Sequence, residues 1–121
     1  MRQTAIALIV LAFMPIGPRA AMGTEQLPHE FGELVPLYAA AEPVDTRYSR
    51  DSVTVSFDVA DPFARVVTFY ERALRSAGWR VVSSDAHDGL VATREDVNLV
   101  LTENSGRRGF TIDLRYPGGR E

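Results

Sequence analysis

In only one stretch of this chain, Phe63 to Ala77, do apolar residues recur at spacings of three and four. Phe63, Val66, Val67, Tyr70, Ala73, Leu74 and Ala77 form one stripe, while Arg65, Thr68, Glu71, Arg72, Arg75 and Ser76 take the other side. That is the period of an amphipathic helix, and Glu71 and Arg75 add an i,i+4 pair of favourable order. Asp61 is placed to cap its first turn, and Pro62 suits the first helical position, where a missing N–H costs nothing. Gly78 is placed where a helix ends in a left-handed residue. A chain with one such helix must bury its stripe against something else, and the remaining pattern supplies a sheet.

On both sides of the helix the apolar period is two. Val53, Val55, Phe57 and Val59 alternate with Thr54, Ser56 and Asp58, the mark of a half-buried strand. After Gly78 come WRVVSS, LVATR, VNLVLTE and FTIDLRY, with Asp88-Gly89 a strong hairpin signal, Glu95-Asp96 a tight turn and NSGRRG a longer loop. Leu34 opens another strand, confined to an edge by Pro36, and residues 45–52 (DTRYSRDS) read as a polar loop. The pattern predicts an α+β domain over residues 34–116, one amphipathic helix packed on an antiparallel sheet of about five strands. Residues 24–33 read as a flexible lead-in and 117–121 as a frayed tail.

The first residues belong to a different class. Arg2, the apolar run Ala5 to Met14, the breakers Pro15 and Gly17, and the small residues Ala21 and Gly23 follow the order of a secretory signal peptide, residues 1–23, cleaved before Thr24. The run of ten residues falls short of the roughly 20 that span a bilayer, so the processed form is expected to have no membrane span. An exported destination, periplasmic or secreted, follows. Small exported domains are often stapled by disulfides, but this chain has no cysteine. Disulfides, thiolate catalysis and a lipidated cysteine anchor are thereby excluded. Net charge is −3 with no lysine, and every acidic residue lies beyond position 23. Such a balance argues against a nucleic-acid or anionic-membrane surface.

Chemistry is hard to find in the sequence. His29 lies in the lead-in, and His87 in the Asp-rich turn DAHDG, where backbone geometry already explains the residue types. Glu95 and Asp96 are adjacent and belong to a turn; Asp58 and Asp113 meet only if their strands are neighbours. Nucleophile elbows, phosphate loops, dinucleotide fingerprints and zinc-protease helices are all missing from the sequence. No catalytic, metal or cofactor residue is assigned. Candidate partner contacts are Arg107 and Arg108 in the glycine-flanked loop, and Phe69 at the flank of the helix stripe. Phe63, Phe69, Tyr70 and Trp79 read as core first and as the lining of a ligand groove second.

The string Val66 to Trp79, VVTFYERALRSAGW, preceded by Val35-Pro36-Leu37-Tyr38, resembles a family of small, uncharacterised bacterial envelope domains. They are often lipoproteins and share the form P-x-Y, strand, then F-Y-x-x-x-L-x-x-x-G-W. The likeness implies an envelope location and makes Tyr38 a further candidate contact. Here Tyr38 is followed by three alanines where those relatives continue Pro-Gly-Ala. A looser likeness links the helix, strand and Asp-rich turn to the helix-grip domains of an outer-membrane barrel-assembly lipoprotein, which implies an accessory role by protein contact. The resulting expectation is a non-catalytic exported domain that binds an envelope protein or component. The alternative is a small-ligand-binding protein or hydrolase using the helix–sheet groove or the polar sheet face.

Overall fold

The computed structural model describes residues 27–119, so the signal-peptide reading of residues 1–23 lies outside the described residues. Six antiparallel strands form one sheet: β1 (Glu42–Tyr48), β2 (Ser52–Asp58), β3 (Arg80–Asp85), β4 (Gly89–Arg94), β5 (Val97–Glu103) and β6 (Phe110–Arg115). Their order across the sheet is β1-β2-β6-β5-β4-β3. Preceding them is a short irregular turn, α1 (Glu30–Glu33), whose Phe31 and Gly32 have non-helical backbone angles, and between β2 and β3 runs the main helix, α2 (Phe63–Ser76). The predicted class holds, with six strands instead of about five. The extra strand is β1, which takes up half of the expected polar loop. No strand starts at Leu34; Val35 makes only an isolated bridge with Phe31.

The alternation in the sequence divides the sheet into two unlike faces. Val53, Val55 and Phe57 of β2, Leu99 and Leu101 of β5, and Phe110, Ile112 and Leu114 of β6 point to one side and are buried. Against β3 and β4 on that side lies α2, its Val66, Tyr70 and Leu74 fully buried. Full burial of such side chains is worth about 1.5–3 kcal/mol each, so this face holds the domain together. The opposite face carries hydroxyls, amides and carboxylates: Thr54 donates to Asp113 across the β2–β6 pair at 3.0 Å, and the Ser56 and Thr111 hydroxyls lie 2.9 Å apart. Nothing among the described residues covers it.

One helix is too narrow for six strands, and the segment before β1 covers the rest. Phe31 packs on Phe57, ring centroids 6.0 Å apart, and Tyr38 on Phe110 at 6.3 Å. Trp79 Nε1 donates to the Leu34 carbonyl at 2.8 Å, and the Tyr116 hydroxyl donates to the Glu30 carboxylate at 2.9 Å. The flexible lead-in expected for 24–33 therefore stops short of its end, since Glu30 and Phe31 are buried.

Both ends of α2 are informative. Trp79 N–H bonds the Leu74 carbonyl at 2.9 Å and Gly78 N–H that of Arg75 at 3.1 Å, a Schellman closure with Gly78 at φ +93°. At the other end Pro62 is the cap residue and no side chain caps the helix. Asp61 stands one residue before the cap, and its carboxylate accepts from the Tyr38 hydroxyl instead.

Candidate functional site

The loop between β5 and β6, residues 104–109, is fastened at its base. Asn104 N–H donates to the Gly109 carbonyl at 3.0 Å and Asn104 Nδ2 to the Phe57 carbonyl at 3.2 Å. Its Oδ1 accepts from Thr111 Oγ1 at 2.6 Å. Gly109, at φ +115°, lets the chain pass so close to Phe57 that a Cβ would sit 1.9 Å from that carbonyl oxygen. The tip of the loop, with Arg107 and Arg108, is thereby held at one end of β2 while its side chains stay in water.

The two arginines part company. Arg107 turns to the uncovered face, where an open hollow of about 530 Å³ is lined by Asp45 and Arg47 of β1, Ser56 of β2, and Asn104, Ser105 and Arg107 of the loop. Arg47 Nε and Asp45 Oδ2 are 3.2 Å apart, both side chains more than half exposed. Arg107 makes no ion pair among the described residues. Arg108 instead comes within 3.9 Å of the Asp58 carboxylate. It borders a smaller hollow of about 200 Å³ at the start of α2, with Asp61 and Glu103. Neighbours in sequence, the pair does not make one anion site.

Tyr38 and Phe69 are brought together, but on the covered side of the sheet. Their rings meet edge to face at 5.0 Å, and Phe69 meets Tyr70 in the same way at 4.9 Å. Tyr38 donates its hydroxyl to Asp61 at 2.6 Å. That hydrogen bond, with partial burial, pushes its phenol pKa above the usual tyrosine value. The tyrosine thus locks the 36–41 segment onto the start of α2. Phe69 is half-buried beside a shallow apolar patch with Thr68, Arg72, Ala73 and Ser76.

A ligand between helix and sheet has little room, because Tyr70, Phe110, Leu74 and Val66 fill that layer with no exposure at all. The Tyr70 hydroxyl has no well-formed hydrogen-bond partner among the described residues. Burial pushes its phenol pKa far upward, and the Tyr38 backbone offsets only part of that effect.

The remaining sequence candidates stay apart. His87 sits in an exposed turn built by Asp85, whose carboxylate accepts the His87 and Asp88 backbone N–H groups at 2.7 and 3.1 Å. Those bonds hold the Asp85 carboxyl below its ordinary pKa. Among the described residues no three His, Asp or Glu side chains cluster as metal ligands do. Asp113 pairs with Thr54 and Asp58 with Glu42, so the two carboxylates lie four residues apart along β2, about 13 Å. Sequence reasoning missed Asp45, Arg47, Ser56 and Asn104. Residues of β1 and β2 that meet a loop far along the chain leave no local signal.

A model of the START domain-like family matches residues 40–114, most of the described domain. No curated protein and no solved structure gives a significant match to the chain.

Proposed function

The chain belongs to the START domain-like family, and from that premise we propose that it is an exported, non-catalytic binding domain that engages a protein or another envelope component through the hollow beside Arg107. The observation that carries this reading is the division of the sheet. One face is closed over a filled core, and the other presents an open concavity rimmed by charge that the fold does not consume. The carboxylate in that hollow, Asp45, is exposed and paired with Arg47. Paired hydroxyls and a guanidinium held on a fastened loop suit recognition of a polar, acidic surface. The signal-peptide pattern of residues 1–23 supports export, and among the described residues no helix is long and apolar enough to cross a membrane.

Affinity capture from an envelope extract tests the reading. The wild type and an Arg72→Glu variant, altered on the exposed side of α2, are expected to retain the same partner, and Arg107→Glu to lose it. Retention by Arg107→Glu, or loss with Arg72→Glu, would place the contact elsewhere.

A further inference from the structure

We infer that the outer edge of β1 is a self-association surface, on which two copies of the chain pair antiparallel about Thr46 and extend the sheet across a two-fold axis. β1 ends the sheet, and among the described residues no strand pairs with its outer side. The backbone N–H and C=O groups that point outward there form a template for another strand. What that strand should be is written in the side chains.

From Asp45 to Tyr48 the strand is regular, each residue pairing in turn with Ser56, Val55, Thr54 and Val53 of β2; the bulge lies before it, between Pro43 and Asp45. Asp45 and Arg47 therefore share a face, with Thr46 between them on the other. A two-fold axis between antiparallel strands must pass through the midpoint of a residue and its own copy. Centring it on Asp45 opposes two carboxylates, and centring it on Arg47 opposes two guanidinium groups, both unfavourable. With the axis at Thr46, Asp45 of each copy faces Arg47 of the other. The intrachain pair at 3.2 Å then becomes one side of a four-charge ring of alternating sign. Side-chain exposures of 53 % and 79 % leave both groups available for it.

At the other edge no such register exists. In β3 the charged residues Arg80 and Asp85 are five apart, so no two-fold pairing sets one opposite the other. A bulge also breaks its middle, between Val81 and Ser83. Charges on an edge strand commonly block pairing. In β1 the spacing of one acid and one base by two converts the block into a preference for the chain's own copy.

Three paired residues on each copy, Asp45 to Arg47, bury less than the ~1,200 Å² of a standard interface, so the dimer should be weak and reversible. The test uses purified protein alone, and so stands apart from whether an envelope partner occupies the hollow. Sedimentation of the wild type up to about 1 mM should show the weight-average mass rising toward twice the monomer, less steeply at high salt. Arg47→Asp and Asp45→Arg, each opposing like charges, should stay monomeric throughout. The double exchange Asp45→Arg/Arg47→Asp restores alternation and should dimerise again. Thermal melts confirm that each variant is folded, and the double variant keeps the test decisive if a single one is not. A wild type that stays monomeric at every concentration overturns the proposal. So do single variants that associate like wild type, or a folded double variant that does not.

Discussion

Gly106 and Gly109 lie in the same loop with positive φ, yet alanine should be tolerated at one and damaging at the other. Gly106 is at φ +75°, close to the left-handed well, and an added Cβ meets nothing within 4 Å. Left-handed backbone costs an L-residue about 1–2 kcal/mol, partly offset by the ~0.4–1 kcal/mol gained from restricting the unfolded chain. The net loss is roughly 1.5 kcal/mol or less. Gly109 is at φ +115°, outside that well, and its Cβ would sit 1.9 Å from the Phe57 carbonyl oxygen and 2.9 Å from Asn104 Nδ2. Relief requires β6 to move off β2 where Phe57 pairs with Phe110. The Asn104–Phe57 hydrogen bond, worth about 0.5–1.5 kcal/mol, would break. The Phe57–Phe110 stack, centroids 4.9 Å apart, would open at a similar cost of about 0.5–1.5 kcal/mol. With the backbone strain of about 1–3 kcal/mol these sum to about 2–6 kcal/mol, so after the same ~0.4–1 kcal/mol offset Gly109→Ala should lose roughly 1–5 kcal/mol. Trp79 is the single tryptophan and is buried, so its fluorescence reports unfolding in urea directly. For a domain of this size each kcal/mol moves the melting temperature by about 4–8 °C. Gly109→Ala should melt on the order of 10 °C below Gly106→Ala. Two variants melting together would mean that the loop does not approach β2 as described.

Leu74, fully buried in the last turn of α2, should cost about 2–5 kcal/mol as alanine, whereas Arg72→Ala on the exposed side should stay within ~0.5 kcal/mol; paired urea titrations measure both. Tyr38 and Tyr70 have raised pKa values, so above pH ~10 the unfolded chain releases protons that the folded chain retains, and stability falls as pH rises. Tyr70→Phe should be close to neutral at pH 7, having removed a buried hydroxyl without a good partner, and should flatten that alkaline fall in urea midpoints taken on either side of pH 10. N-terminal sequencing of exported protein should begin at Thr24 if Ala21 and Gly23 direct cleavage.

Much of the fold was legible because burial writes a period into the sequence. The stripe from Phe63 to Leu74 and the alternation in β2, β5 and β6 each bury one face, and Gly78 closes the helix as its position implied. β1 escaped because an edge strand is defined by pairing and not by burial: Asp45 and Arg47 lie on the uncovered face, and Val44 sits in a bulge. Asp61 shows the other limit. Its local context is that of a helix cap, but a tyrosine 23 residues away claims the carboxylate. For the candidate site, Arg107 and Arg108 were visible as a charged loop, while their division between two sides of the sheet depends on how Asn104 ties that loop to β2. Tyr38 and Phe69, read as surface contacts, hold the 36–41 segment in place.

The binding surface itself is open to a direct measurement. A photo-crosslinking amino acid is placed at Arg107 and, in a second strain, at Phe69, and cells exporting the protein are irradiated. A discrete adduct from position 107 and none from position 69 is expected if the hollow on the uncovered sheet face meets the partner. An adduct from position 69 with none from position 107 would contradict it, moving the contact to the helix.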